Sequence, residues 1–225
     1  MGRCMALERQ SGDRPEAQRF LTGRGPGQSR LQFAPGSVVC AQGDISDALH
    51  YIEQGWVKMS VSASNGKEAV ISLRGPGEFF STRCLIERHQ HLATVTTLTD
   101  CTLVRTGNAA LRRLIREEPD FAEFFATYLV RQELRDQHRL VDQLTDDSER
   151  RLARALLRLA GDELGEQPQP ISARLSQTDL ASMIGTTRSR ISHFMNKFRR
   201  LGYIGYDRRQ GFVTVHKTLL RILEH

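Results

Sequence analysis

The spacing of apolar residues changes along this chain, and each change marks an element. From about Leu31 to Thr106 the apolar residues sit in short segments: SVVCA, ALHYIEQG, WVKMSVSA, KEAVISLR, LATVTTLTD and CTLVRT. These segments are rich in β-branched and aromatic residues. They are bounded by PG, QGD, QG, NG and GPG, which are turn sequences. Asn65-Gly66, flanked by two such segments, predicts a tight hairpin. Strands this short and this closely spaced predict a compact β-roll or barrel, and the lack of strand–helix alternation argues against a dinucleotide-binding sheet.

After Asn108 the period lengthens to that of a helix. AALRRLIREE predicts one helix that ends at Pro119, and a second, of about 25 residues, starts near Asp120. Its first half (Phe121, Phe124, Phe125, Tyr128, Leu129) is apolar nearly all round, which predicts packing on the β domain. Further on, Val130, Leu134, Gln137, Val141 and Leu144 are spaced 4, 3, 4 and 3 apart. That is a coiled-coil seam with one polar position, and it predicts a homodimer; the competing reading packs the same stripe on the chain's own β domain.

Thr145-Asp146-Asp147 breaks the pattern and predicts a hinge. SERRLARALLRLAGDEL follows as an amphipathic helix capped by Asp147 or Ser148, and GEQPQP reads as a loop. Ser176 and Asp179 have the spacing of a capping box, and Leu180, Met183 and Ile184 form the apolar stripe of the helix they open. Gly185 supplies the turn, Thr187 caps the next helix, and Ile191, Met195, Phe198 and Leu201 should face a core. The other face holds Arg188, Ser189, Arg190, Ser192, His193, Asn196, Lys197 and Arg199, with no carboxylate. Hydrogen-bonding groups near a helix N-terminus, surrounded by positive charge, suit the DNA major groove. YIGYDRRQGFVTV then predicts a two-stranded wing with Gly211 near its turn and Arg208 and Arg209 at its tip, and KTLLRILEH a closing helix. The plainer alternative is a helical hairpin with a solvated basic face.

Charge decides between them. The formal net charge is +6, and residues 146–225 carry 14 basic and 9 acidic residues, a net of +5, against 18 and 17 before them. From Gly185 to Arg221 there are nine Lys or Arg and one acid, Asp207. A field this one-sided favours a polyanionic partner. No apolar run approaches a membrane span, and the first residues, MGRCMALERQSGDRPEAQ, lack the core of a signal peptide. Cys4, Cys40, Cys84 and Cys101 are scattered, so a reduced, cytoplasmic protein is expected rather than a disulfide framework. The chain has no nucleophile elbow, zinc-protease motif or phosphate-binding glycine loop, so an enzyme is not expected. A winged helix that binds protein instead of DNA is a further alternative.

The helix-turn-helix phrase IGTTRSRISHFMNKFRRLGYI and the roll phrase PGSVVCAQGDISDALHYIEQGWVKMSV resemble the cyclic-AMP receptor protein and fumarate–nitrate reduction regulator (CRP/FNR) family of bacterial transcription factors, from about Leu31 to the C-terminus. The resemblance implies an α+β chain: a loose arm (1–28), a cyclic-nucleotide-binding-like β-roll (29–118), a dimerisation helix (119–145) and a winged helix-turn-helix (146–225). It implies a homodimer on double-stranded DNA, an effector in the roll and contact with RNA polymerase.

Departures from the family pattern shape the expectations. Nucleotide-binding members carry G-D-F-x-G-E and, about ten residues on, Arg-Ser/Thr-Ala, which hold the cyclic phosphate and ribose. Here Gly77-Glu78-Phe79-Phe80 is followed by Ser81-Thr82, and His91-Leu92-Ala93 stands at the second segment. Phe80, Ser81, Thr82, Arg83, Cys84, His91, Leu92 and Ala93 therefore form an altered pocket. A neutral histidine cannot reproduce the arginine fork on phosphate, so cyclic AMP is not expected to bind in the family's usual way. A haem-sensing alternative would use Cys84, His89 or His91, and a thiol-based one Cys40, Cys84 or Cys101. In the recognition helix Arg188 matches a family arginine that contacts guanine or backbone, Ser189 stands where glutamate is common, and His193 where arginine is common. The half-site should therefore differ from TGTGA.

Overall fold

The computed structural model describes residues 13–224 apart from 22, 24, 65, 67, 87, 162–166, 172–174 and 207–212. Contacts divide the described chain into two compact units, Ser11–Arg135 and Asp136–His225.

The first unit is built on two four-stranded antiparallel sheets, in the orders β1-β8-β3-β6 and β2-β7-β4-β5. The strands are β1 (Gln28–Phe33), β2 (Val38–Cys40), β3 (Ala48–Gln54), β4 (Val57–Ser62), β5 (Glu68–Arg74), β6 (Phe79–Phe80), β7 (Thr94–Thr97) and β8 (Cys101–Gly107). Side chains alternate across a strand. Ile52, Phe80 and Leu103 accordingly join Val57 and Val95 in one core, while Leu49, Tyr51, Phe79 and Val104 join a second core made with helices. Those helices are α1 (Asp13–Phe20), α2 (Asn108–Glu117) and α3 (Pro119–Thr145). Pro119 opens α3, where its missing N–H is no loss. Within this unit Phe121, Phe124, Phe125 and Tyr128 are buried in the helix-side core. β1 and β6 are elements that the sequence pattern did not pick out, and α1 lies in the stretch expected as a loose arm.

The loose arm expected over residues 1–28 is replaced in part by structure. Ala17 and Leu21 are buried in the helix-side core, and Phe20 meets Phe121 edge-on at 5.4 Å. The apolar positions of RPEAQRFL explain this: three of them fall on one face of a short helix. Residues 1–12, Cys4 and Asn65 lie outside the described residues.

The second unit contains α4 (Ser148–Ala160), β9 (Gln169–Pro170), α5 (Gln177–Ile184), α6 (Arg188–Arg200), β10 (Ile204–Tyr206), β11 (Val213–Val215) and a closing 3-10 helix, Lys217–Leu223. Asp147 caps α4, accepting from the Arg150 N–H at 2.9 Å. The end of α3 is tied to α4 within this unit. Arg154 donates to Asp146 at 2.8 Å and lies 3.5 Å from Asp142, and Arg151 donates to the Gln143 carbonyl at 2.8 Å. The wing gains a third strand, since β9 pairs with β11 in a sheet of order β10-β11-β9. The GEQPQP stretch, expected as a loop, contains this strand, and two residues beside Pro168 carry no strand period that could announce it.

Candidate functional site

Two regions gather chemistry, one in each unit. In the second unit the turn between α5 and α6 is built by local hydrogen bonds. The Ser176 hydroxyl accepts from the Asp179 N–H at 3.0 Å, and the Asp179 carboxylate accepts from the Ser176 N–H at 3.2 Å, a complete capping box. Gly185 adopts a left-handed conformation with φ 67°, which a side chain would strain. Thr187 caps α6, accepting from the Arg190 N–H at 3.3 Å. Ile191, Phe194, Met195 and Phe198 are buried and fix the rotation of α6. Leu201 is 47% exposed and Phe194 takes the inward place instead, because α6 ends at Arg200 and the next residue leaves the helical stripe.

That rotation leaves Thr187, Arg188, Ser189, Arg190, His193, Asn196, Arg199 and Arg200 exposed, with Ser192 and Lys197 half-buried. Arg190 lies over the Phe194 ring at 5.8 Å. Lys197 is engaged elsewhere: its ammonium is 2.7 Å from Glu149 Oε1 and donates to Oε2 at 2.9 Å, joining α6 to α4. Glu149 stands 48 residues away, so no local pattern could have revealed it. Arg208, Arg209 and Gly211 lie outside the described residues.

In the first unit a cavity of about 280 Å³ opens between the sheets, lined by Leu31, Phe33, Val39, Cys40, Asp44, Ile45, Asp47, His50, His91 and Arg105. Of the pocket residues expected from the sequence, His91 is on this wall. Ser81, left-handed at φ 62°, holds its hydroxyl 3.4 Å from His91 Nδ1 and 4.0 Å from Cys40 Sγ. Phe80 lies beneath the wall, stacked on His50 at 4.7 Å and 5°. Thr82 and Arg83 lie in a short 3-10 helix, where Arg83 is 3.4 Å from His89. Cys84 and Ala93 are buried, Cys84 in the helix-side core, and Leu92 is exposed.

The sequence reading missed the rest of the wall, including all of its other polar groups: Cys40, Asp44, Asp47, His50 and Arg105. One signal was present. His50 is the lone polar residue of the run Ala48–Ile52, every member of which is buried. It is 5% exposed, and its Nδ1 has no hydrogen-bond partner among the described residues. Burial, helped by nearby Arg105 and His91, lowers its pKa from 6.5 to about 4. Burial also holds His91 below its ordinary value. Arg105, the cation on this wall, donates to Asp47 at 2.6 Å. Burial pushes the thiols of Cys40 and Cys84 up to about 11 and raises that of Cys101.

A two-sheet roll, a long helix and a helix-turn-helix with a basic outer face define a class of DNA-binding transcriptional regulators. Family models agree: residues 30–118 match the cyclic nucleotide-binding domain and residues 150–221 the Crp-like helix-turn-helix domain. The chain belongs to the CRP/FNR family of transcriptional regulators. It is 26% identical, over 194 residues covering 85% of it and 86% of the relative, to a CRP-like cAMP-activated global transcriptional regulator of Mycobacterium tuberculosis. It is 29% identical over 178 residues, 79% of each chain, to the cyclic AMP receptor protein of Thermus thermophilus. Its fold matches that of FixK2 from Bradyrhizobium japonicum with a TM-score of 0.72 at 15% identity, over 88% of this chain and 96% of the other. It also matches the c-di-GMP responsive global regulator CLP of Xanthomonas campestris with a TM-score of 0.67 at 22% identity, over 90% and 98%. Among the described residues no helix is long and apolar enough to cross a membrane.

Two outcomes follow from this geometry. Arg188→Ala should cost about 1–3 kcal/mol of specific DNA affinity and flatten the preference at one base pair, measured by titrating single-base operator variants. Equal weakening on every sequence would make Arg188 a phosphate contact. For His50, the unfolded chain binds a proton near pH 6.5 and the folded chain only near pH 4. Stability should therefore fall as pH drops through that window, by about 3 kcal/mol from this residue. Urea unfolding at pH 7 and pH 4.5 should show a smaller loss for His50→Phe than for the parent chain.

Proposed function

We propose that the chain acts as a homodimer that presents two copies of α6 to a two-fold DNA operator, under the control of a small effector held in the roll. On this reading residues 29–118 sense, 119–145 dimerise and 146–225 bind DNA in the cytoplasm, where RNA polymerase is the further partner. The observation that carries it is the outer face of α6. Thr187, Arg188, Ser189, Arg190, His193 and Asn196 face solvent there without an acid among them, as base and phosphate contacts require. Ser192 and Lys197 flank that face, Lys197 reaching phosphate only by leaving Glu149.

The dimer reading is supported by the seam on α3. Val130 is 59% exposed, Leu134 45%, Val141 53% and Leu144 78%, with Gln137 also exposed on the same stripe. Large apolar side chains repeated at this spacing and left in water suit a second copy of the helix.

The effector is not cyclic AMP bound in the usual way. Among the described residues the cation on the cavity wall, Arg105, already engages Asp47, and Asp44 adds a further carboxylate to that wall, which disfavours a phosphate. Thiol sensing is disfavoured by the direction in which burial moves the cysteines, away from the thiolate that reacts. Of the residues considered for haem, Cys84 is turned into the helix-side core.

Effector and helix can communicate through β6. Phe80 stacks on His50, while its neighbour Phe79 meets Phe124, Phe125 and Tyr128 of α3 and donates its N–H to Tyr128 Oη at 2.8 Å. A ligand that moves His50 moves the seat of α3. The reading is tested by sedimentation and DNA titration of Leu134→Glu. The parent chain should sediment as a dimer, and the variant as a monomer with at least about 100-fold weaker operator binding. A parent monomer, or a monomeric variant of unchanged affinity, would refute it.

A further inference from the structure

The cations of α6 do not all meet the same surroundings. Arg188, Arg190, Arg199 and Arg200 are exposed. Lys197 is half-buried, and one carboxylate clasps its ammonium, with Glu149 Oε1 at 2.7 Å and Oε2 at 2.9 Å. Glu149 lies in the first turn of α4, where the positive end of the helix dipole favours an anion. Its side chain is 19% exposed and that of Lys197 37%, so water and salt screen the pair only in part.

The clasp meets a need that the apolar contacts of α6 leave open. Ile191, Phe194, Met195 and Phe198 are buried and set the rotation of the helix about its axis. Apolar contacts have no direction, however, and resist a slide or tilt along the same face only weakly. Two short contacts to one carboxylate are directional. α4 is in turn joined to the end of α3 within the same unit, Arg154 donating to Asp146 and Arg151 to the Gln143 carbonyl, each at 2.8 Å. Polar contacts thus run from residues 143–146 through α4 to Lys197. An ammonium held by a carboxylate is also a poor phosphate ligand, because it must leave one anion to neutralise another.

Building on the DNA-binding reading above, we infer that Glu149 and Lys197 are positioning residues for base readout. The pair fixes the pose of α6 on α4, and Lys197 supplies no phosphate contact of its own. It acts through Arg188, Ser189 and Arg190, whose reach to base edges depends on where α6 stands in the groove.

The test titrates the full-length chain with a duplex it selects from random sequences and with single-base variants of that duplex, over a range of salt concentrations. The ratio of the two affinities does not depend on how much of the protein is folded, so a merely destabilised variant leaves it unchanged. Lys197→Met and Glu149→Gln should each lower the ratio about threefold, as loss of a part-exposed ion pair can. The double variant should be no worse than either single one, and the swap of Glu149→Lys with Lys197→Glu should restore the ratio. Lys197→Met should keep the parent's salt slope. A slope smaller by about 1 for each lysine removed would make Lys197 a phosphate contact. An unchanged ratio in either single variant, or a swap that restores nothing, would make the pair incidental. Any of these results overturns the inference. A parent chain that selects no duplex refutes the regulator itself, whereas a parent that binds, beside variants that behave like it, discards only the positioning role.

Discussion

The fold of the first unit depends on one contact, the seating of Phe79 against α3. Phe79 is one residue of a two-residue strand, yet its ring meets Tyr51 from its own sheet and Phe124, Phe125 and Tyr128 from the helix. Tyr128 adds a hydrogen bond to the Phe79 backbone, and its own phenol, pushed up to about 12 by burial, stays protonated. Aromatic pairs of this kind each contribute about 0.5–1.5 kcal/mol beyond the area they bury. A short strand between two such clusters is held by side chains more than by its ladder. That makes it a place where the two faces of a sheet are mechanically coupled, because Phe80 on the opposite face belongs to the inter-sheet core and stacks on His50 of the cavity wall.

Charge is distributed with a similar economy. On α6 the positive groups face outward without neighbouring acids, except at Lys197, where Glu149 intervenes. In the roll, by contrast, Arg105 on the cavity wall is paired with Asp47, and the Asp44 carboxylate lines the same cavity. An electrostatic field suited to a polyanion therefore coexists in one chain with a cavity whose arginine is already paired with Asp47. The family's fold survives this change because the sheets are held by Ile52, Val57, Phe80, Val95 and Leu103, none of which needs a ligand.

Much of the fold was legible because it is periodic. The alternation of the roll strands, the long helix after Pro119, the capping box at Ser176 and the turn at Gly185 all follow from local rules that hold wherever the residues sit. α1 was not legible, because its burial rests on Phe121, about a hundred residues away in the chain. β9 was missed because two residues beside a proline show no period. The face of α6 could be read from its spacing, whereas Lys197's partner could not. The cavity wall was hardest. Its residues come from β1, β2, β3, β8 and the loop of Asp44 and Asp47, and they meet only when two sheets close. The family's cassette directed attention to Phe80–Ala93, while most of the polar wall residues lay outside it, His50 among them inside an otherwise apolar run.

Two copies of α6 entering successive major grooves is the central claim, and the DNA itself reports on it most directly. The full-length chain would be used to select binding sites from random duplexes, and the selected sites would be footprinted at base resolution. The account predicts a two-fold symmetric site whose half-site centres lie about 10 base pairs apart, both protected together and both lost with Arg188→Ala. A single asymmetric half-site protected on its own, or protection with no sequence in common, would contradict it.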